Sequence, residues 1–339
     1  MEKQNCNNQS YLTSINNNDS LSLLKGLDLK QLLVELKKFE PHYRYDLGFL
    51  KEMTFGVEME YEGSSPEEID SMLGKSSCYN WISKDEETST KLLSFEVNSP
   101  ILKNIKNDYL ELRTACRLLR KNKVYTSEET ASQCHFGAQS IATTDSLLNL
   151  LLIWCNYEDE IYRFGYGETK KPRSVINMYA KSIVDIIKQN YDILKRCHSF
   201  EELVHYLKKI IEYKEYGINF KNIVSTEQEY GNTIEFRNAN SILDEILWQS
   251  LISLYGNLII SSSGIIDREK LEYDLMNKEI ITAKNIFKEY QKLDVKKSLE
   301  FVDIIFKNNQ DKAFFLNYYF GKEEIINNLN LQKQVYIKR

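Results

Sequence analysis

Two glutamates at alternate positions, Glu58 and Glu60, form a pair of carboxylates that could bind a metal ion. They lie in the segment Met53 to Glu62, where apolar residues alternate with glycine and glutamate as in a half-buried strand. Such alternation sends both carboxylates out of one sheet face, about 7 Å apart. Magnesium commonly bridges one or two protein carboxylates to nucleotide phosphates, so the pair suits a divalent metal. A solvated acidic face of an edge strand is the alternative interpretation.

A second alternating segment, Thr233 to Asn238, places Glu235 and Arg237 on one face. A carboxylate beside an arginine can hold a metal ion and steady a transferring phosphoryl group at the same time. A cross-strand salt bridge is the alternative. Glu96 is a third acid in a predicted strand, for which the alternative is surface charge.

His135 is the one histidine that attracts a functional interpretation. It lies in a predicted strand and could contact a metal ion or a phosphate. A lone histidine beside a cysteine and a phenylalanine is also typical of a packed core residue, so both interpretations stay open.

The secondary structure predicted around these residues indicates an α+β fold rich in helix. Only 13 glycines and 4 prolines occur, so turn signals are sparse and long helices should dominate. Apolar residues at helical spacing predict helices over 27–39, 105–121, 147–162, 175–194, 200–213 and 242–260. A serine and a proline at 65–66 begin a further short helix that ends near residue 73. Strands are expected over 53–62, within 124–141, and as two hairpins, 79–83 with 92–97 and 223–228 with 233–238.

Composition excludes several classes of function. The chain has 339 residues, with 44 Lys plus Arg against 49 Asp plus Glu, and this net negative charge argues against a nucleic-acid partner. Its longest apolar stretches, such as 147–155, are shorter than the roughly 20 residues that cross a bilayer, so no membrane partner is expected. The polar, asparagine-rich start has none of the features of a secretory signal, which predicts a cytoplasmic protein.

Taken in order, the motifs resemble those of the amidoligase family in the glutamine synthetase and glutamate–cysteine ligase superfamily. That family has a G-x-E-x-E strand, an E-x-x-S-P segment, a histidine-containing strand and a late E-F-R strand. The corresponding residues here are Gly56 to Glu60, Glu96 to Pro100, His135, and Glu235 to Arg237. Trp81 followed by Asp85 looks like the family's W-x-x-x-D region. The resemblance covers about residues 53 to 260.

The resemblance implies a curved antiparallel sheet, an open half-barrel like the glutamine synthetase catalytic domain, flanked by helices. It implies that ATP and Mg²⁺ bind on the acidic faces, with the metal held by Glu58, Glu60, Glu96 and Glu235. Arg237 would contact the phosphate that moves. The implied reaction is ATP-dependent amide formation, in which a carboxylate and ATP give an acyl phosphate and ADP, and an amine then displaces phosphate. The carboxylate and amine substrates would be small molecules or peptides.

The loop 164–173 adds basic residues to this expected site. Lys170, Lys171 and Arg173 suit a clamp for phosphate or for a substrate carboxylate, and the family places basic residues in this region. A surface turn is the alternative. We therefore count Lys170 and Arg173 among the expected nucleotide-binding residues, and Arg173, Arg237, Glu235 and His135 among the expected catalytic ones.

One departure from the family keeps two other functions open. The family has an H-x-H pair where this chain has Gln133, Cys134 and His135, so either Gln133 replaces the first histidine or the register differs. No P-loop pattern occurs. A metal-dependent hydrolase or amidase could use the same acidic face, and a non-catalytic nucleotide-binding protein derived from a ligase would explain Gln133.

The expected organisation is a flexible lead over residues 1–20, a catalytic domain over 21–263 and a helical C-terminal extension over 264–339, packed on the core. Apolar residues of the last helices could instead pack on a second subunit, so a homo-oligomer stays open. We also expect Glu235→Gln to abolish turnover with little change in folding.

Overall fold

An open antiparallel sheet forms the centre of the larger part of the chain. The computed structural model describes residues 29–85, 94–141, 143–167, 171–224, 231–279 and 294–320. Within these ranges the strands are β1 (Thr54–Glu62), β2 (Ile82–Asp85), β3 (Ser94–Asn98), β4 (Leu102–Lys103), β5 (Ala131–Gly137), β6 (Ile218–Asn219) and β7 (Thr233–Asn240). They pair in the order β2-β3-β1-β5-β7-β6, with β4 added beside β1. The predicted antiparallel sheet flanked by helices is therefore confirmed, and this sheet does not close into a barrel.

Helices supply most of the remaining described structure. In chain order they are α1 (Leu29–Lys38), α2 (Pro66–Leu73), α3 (Lys106–Lys121), α4 (Thr144–Gly165), α5 (Ile176–Tyr179), α6 (Val184–Leu194), α7 (Phe200–Ile210), α8 (Glu245–Ser262), α9 (Arg268–Asn277), α10 (Val295–Ile305) and α11 (Asn309–Phe320). Helix α2 begins as its sequence predicts, because Ser65 caps it by accepting a hydrogen bond from the Glu68 N–H. In the described part of the chain, every helix is too short or too polar to cross a membrane.

The single helix predicted over 175–194 is two helices, α5 and α6. Lys181, between them, pairs its backbone with Tyr216 in a parallel bridge. Its N–H donates to the Glu215 carbonyl at 2.8 Å, and its own carbonyl accepts from the Gly217 N–H at 2.9 Å. These bonds replace helical ones, so the helix is interrupted where the chain meets the approach to β6.

Strand β7 has a different described partner from the one predicted. The expected hairpin paired 223–228 with 233–238, and residues 225–228 lie outside the described ranges. Within those ranges β6 pairs with β7, with Ile218 opposite Phe236 and Asn219 opposite Glu235. Strand β6 is only two residues long, too short for an alternation pattern to indicate it.

One face of the sheet packs on helices. Phe236 of β7 stacks on Tyr255 of α8, with ring centroids 4.2 Å apart. It also contacts Trp154 of α4, at 5.7 Å, and Phe136 of β5, at 6.2 Å. All four side chains are almost completely buried. This aromatic layer fixes which face of the sheet is left for polar residues.

A bulge interrupts the pairing of β5 with β7. Ser132 lies opposite Ala239 and Cys134 opposite Phe236, so β7 has one residue more than β5 between these pairs. Bulges locally redirect side chains and often lie next to functional sites. This one adjoins Gln133 on β5 and Arg237 on β7.

Contacts divide the chain into two units, of which the sheet and helices α2 to α9 form the larger. Helix α9, which was expected in the C-terminal extension, belongs to this unit and packs on α4. The described residues 29–42 and 294–320 form the smaller unit. There the rings of Phe39 and Phe314 meet at 6.1 Å, and the Asn317 amide donates to the Leu36 carbonyl at 2.7 Å.

Candidate functional site

Alternate residues of neighbouring strands form a polar face opposite the aromatic layer. On β1 the apolar residues Phe55, Val57 and Met59 are buried against the core, so Glu58 and Glu60 lie on the other face, as the alternation predicts. The register places side chains of six strands beside one another on that face. They are Lys84, Glu96, Glu58, Glu60, Gln133, His135, Glu235, Arg237 and Asn219.

A chain of hydrogen bonds crosses the middle of this polar face. Arg237 Nη1 donates to Gln133 Oε1 at 2.5 Å, and Gln133 Nε2 donates to Glu60 Oε1 at 3.2 Å. The second Glu60 oxygen accepts from the Ala131 N–H at 2.6 Å. Gln133 therefore occupies a central position in the site, linking the carboxylate of β1 to the guanidinium of β7.

Glu235 and Arg237 form an ion pair on β7. Arg237 Nη1 donates to Glu235 Oε1, and the other oxygen, Oε2, accepts from Asn219 Nδ2 at 2.7 Å. Both members of the pair are buried, with 5% and 7% of their surface exposed. Arg237 Nε lies 3.4 Å from the Tyr179 carbonyl, whereas its Nη2 makes no hydrogen bond with any described residue. The alternative from the sequence was a salt bridge across strands, whereas this pair lies within β7 and leaves Nη2 of the guanidinium without a described hydrogen bond.

His135 and Glu58 form a second pair, with Nε2 and Oε1 3.0 Å apart. Burial lowers the pKa of His135, but the hydrogen bond and charge of Glu58 and the charge of Glu235 outweigh burial, so the pKa is raised above 6.5. Burial likewise raises the pKa of Glu58, but His135, Lys84 and Arg237 outweigh it and the pKa falls below 4.5. Each group therefore favours the charged form of the other.

Glu96 lies directly opposite Glu60 in the register of β3 with β1. Side chains directly opposite on antiparallel strands have Cβ atoms about 5 Å apart, and two like charges there destabilise the sheet unless a cation neutralises them. Lys84 supplies one such cation, since its Nζ lies 3.1 Å from Glu96 Oε1. The register thus places side by side two acids that belong to different motifs of the sequence.

The described part of the chain has no group of three or more His, Cys, Asp or Glu side chains arranged to hold a metal ion. Magnesium seldom needs such a group, because it keeps several waters and binds one or two carboxylates together with substrate phosphates. Glu60 and Glu96, opposite one another, match that smaller requirement. The donor set therefore fits a magnesium ion that is completed by a nucleotide.

A cleft of about 440 Å³ opens over the polar face. Glu58, Glu96, His135, Glu235 and Arg237 all line it, so the structure brings most of the predicted site residues together. Further lining residues went unrecognised in the sequence, either because they lie in irregular segments or because they belong to very short strands. They are Lys84, Lys214, Asn219, Lys221 and Asn222, whereas Asp85 of the W-x-x-x-D region, which the sequence did indicate, also lines the cleft.

Arg173 lies differently from the clamp that its loop suggested. Its side chain is buried, with 2% exposed, and it donates to backbone carbonyls of β7, at 2.9 Å to Arg237 and 3.3 Å to Ala239. Burial lowers the pKa of Arg173, and the charge of Glu60 opposes that shift. Lys171 is exposed, and Lys170 lies outside the described residues. The described contacts of Arg173 hold the strand that carries Arg237.

Comparison with models of known protein families gives a match over more than half of the chain. Residues 75–259 match the model of a protein family whose description reads "Putative amidoligase enzyme". No curated protein matches the chain. The matched segment contains strands β2 to β7, and it begins after β1. The placement of Glu58 and Glu60 beside the matched residues therefore comes from the pairing of β1 with β3 and β5.

Proposed function

The chain belongs to this amidoligase family, a family of ligase-type enzymes, and from that premise we propose that it is an ATP- and magnesium-dependent ligase joining a carboxylate to an amine. One observation carries the proposal. Glu96, which lies opposite Glu60 in the strand register, lines a cleft together with an arginine, Arg237, whose Nη2 makes no described hydrogen bond. We also propose that the open sheet has the curvature of glutamine synthetase catalytic domains.

The cation-rich side of the cleft suits the nucleotide. Lys84, Lys214, Lys221 and Arg237 line it and can balance the charge of a triphosphate. Glu60 and Glu96 would hold magnesium, with Glu58, Glu235 and His135 as the remaining expected ligands. Magnesium, when bound, neutralises charge on the phosphate oxygens.

In the first step of the proposed reaction, a carboxylate oxygen of the acid substrate attacks the γ-phosphorus of ATP. The bond from that phosphorus to the β–γ bridging oxygen breaks, and ADP leaves with the electron pair. Arg237 Nη2 is placed to donate to an oxygen of the moving phosphoryl group, where negative charge shifts in the transition state. Glu235 and Gln133 hold the other guanidinium nitrogen, Nη1, and so orient Nη2.

In the second step, the nitrogen lone pair of the amine attacks the acyl carbon. The bond from that carbon to the phosphate oxygen breaks, phosphate leaves and the nitrogen loses a proton, which gives the amide. The acyl phosphate must be kept from water, and the buried Glu235 and Arg237 in the cleft lining are the residues beside which water is best excluded. Arg173, through the carbonyls of β7, keeps Arg237 in position; a direct contact of Arg173 or Lys170 with the nucleotide remains part of the proposal.

Calorimetric titration with Mg²⁺ and a non-hydrolysable ATP analogue tests this function. We expect metal-dependent binding to the native protein, and a loss of about tenfold or more in Glu60→Gln and in Arg237→Lys, because charge-assisted and bidentate contacts are lost. Glu62→Gln, the same change on the same strand but opposite Ser94 instead of Glu96, is the matched control and should bind like the native protein.

Product assays complete the test. ADP release that requires both an acid and an amine supports the ligase. Amide hydrolysis without nucleotide would support the hydrolase alternative, and metal-dependent nucleotide binding without turnover of any acid and amine pair would support a non-catalytic derivative. Absence of nucleotide binding by the native protein would overturn the proposal.

A further inference from the structure

The cleft continues past the Glu58–His135 pair into a second, larger pocket of about 830 Å³. The two pockets share these two residues, so the pair lies at their junction. Their linings differ in charge. The first pocket has the cations Lys84, Lys214, Lys221 and Arg237, whereas the described lining of the second contains no lysine or arginine.

The walls of the second pocket are mainly apolar or small. Ile101, Phe200 and Val224 supply apolar surface, and Ile101 has 61% of its surface exposed. Besides the junction residues, the described charged residue of the lining is Glu201, an exposed carboxylate in the first turn of α7. The pocket therefore offers apolar contacts and negative charge.

Gly56 leaves this pocket open at a position next to the junction. It lies between Phe55 and Val57, which are buried on the core face, so its missing side chain belongs to the polar face. A Cβ built there would meet only Ser99 Oγ within 4 Å, at the ordinary contact distance of 3.7 Å. The backbone would therefore accept a side chain, and that side chain would extend into the pocket.

We propose that the second pocket binds the amine substrate, as a primary amine with an uncharged, apolar body. The inference rests on the proposed function, which puts the triphosphate in the first pocket. An acid substrate needs a cation for its carboxylate, and the described lining of the second pocket offers only His135, which is already paired with Glu58. An amine suits the pocket, with its body against Ile101, Phe200 and Val224 and its nitrogen at the junction beside Glu58, where the first pocket would supply the acyl phosphate.

Binding of three probes of equal chain length tests the charge preference. We would titrate n-hexylamine, 1-hexanol and hexanoate into the full-length protein saturated with Mg²⁺ and the ATP analogue, and follow binding by saturation-transfer NMR. The amine should bind most tightly and hexanoate least. Hexanoate binding as tight as that of the amine would overturn the inference.

Gly56→Val tests the location. Its side chain fills the space beside the junction and should weaken n-hexylamine binding by about tenfold or more, since one or two methylene groups in a pocket change affinity by that order. Gly56→Ala is the matched control and should have a much smaller effect. Unchanged amine affinity in folded Gly56→Val would overturn the inference.

Ile101→Lys is a second test, and its result does not depend on whether β1 tolerates a side chain at position 56. Because Ile101 is exposed, the substitution should leave folding intact. The new cation should weaken binding of n-hexylamine and strengthen that of hexanoate, reversing the preference. An unchanged preference would show that the probes bind elsewhere.

Nucleotide binding, measured separately, distinguishes the two proposals. If the ATP analogue binds but displaces n-hexylamine, the second pocket binds the nucleoside. The inference then fails and the proposed function stands. If the analogue does not bind at all, the proposed function itself fails. Simultaneous binding of both supports the inference.

Discussion

Arg237 Nη1 and Gln133 Oε1 lie 2.5 Å apart, and this contact joins the guanidinium of β7 to the amide of β5. On its other side the same amide donates to Glu60 on β1. An amide has one acceptor and one pair of donors, so both ends of Gln133 are matched to their neighbours. A glutamine can thus separate an arginine from a carboxylate while fixing the position of each.

Gln133→Leu should disturb both stability and nucleotide binding. The substitution leaves a buried acceptor and a buried donor without this partner, which costs about 1–3 kcal/mol per group. Misplacement of Arg237 should weaken binding of the ATP analogue by about tenfold or more. Urea unfolding and calorimetry measure the two effects, with the exposed Gln189→Leu as a control that should change neither. Native-like affinity in Gln133→Leu would mean that Arg237 keeps its position without the amide.

Glu235→Gln should abolish turnover. The structure indicates that it should also lower the free energy of unfolding, which the sequence did not suggest. Glu235 is buried in an ion pair with Arg237, and breaking a buried pair destabilises by about 3–5 kcal/mol when one charge is removed outright. Glutamine still offers an oxygen to Arg237, so we expect a smaller loss, about 1–3 kcal/mol. Thermal unfolding measures it. Unchanged stability would contradict the buried pair.

The His135–Glu58 pair should make stability depend on pH. The pKa of His135 is raised above 6.5, so its contribution is complete below pH 6.5 and is lost as the pH rises through the folded-state pKa. The pKa of Glu58 is lowered below 4.5, so its contribution is complete above pH 4.5 and is lost as the pH falls through its folded-state pKa. The pair therefore stabilises the fold most between these two values.

His135→Gln reveals this dependence when metal-free protein is unfolded in urea at a series of pH values. The free-energy difference between native protein and variant should be largest near pH 6 and should shrink as the pH rises further. The exposed His205→Gln is the matched control. A free-energy difference between native protein and variant that grows above pH 6.5 would contradict the pairing of His135 with Glu58.

Arg173→Lys separates a structural role from a direct role in binding. Lysine cannot reproduce the two donated bonds to β7, so we expect a loss of stability of about 2–4 kcal/mol. Affinity for the ATP analogue should fall only to the extent that the substitution displaces Arg237. If instead affinity falls strongly while urea unfolding is unchanged, Arg173 contacts the nucleotide directly, as its basic loop suggested.

Alternation along strands made much of the site predictable. It placed Glu58 with Glu60, and Glu235 with Arg237, because side chains two residues apart share a face whatever the neighbouring strands do. The opposition of Glu60 and Glu96 could not be predicted in this way, since it depends on the register of two strands far apart in the sequence.

Other features depend on contacts that no local pattern records. Asn219 binds Glu235 from a strand of two residues, which is too short to show periodicity. Arg173 follows lysines and glycines typical of an exposed loop, yet it is buried against β7 carbonyls. Tertiary packing, rather than the properties of its loop, decides where its guanidinium goes.

The strand order β2-β3-β1-β5-β7-β6 means that β5 lies between β1, early in the chain, and β7, which follows helices α4 to α7 in the sequence. The residues that meet in the cleft therefore come together only when the last strands have joined the sheet, and such long-range pairings form slowly. If the cleft binds nucleotide as proposed, a newly made chain gains that binding only when the whole sheet is complete. Nucleotide would then stabilise finished molecules and protect them, but not incomplete chains, from proteolysis.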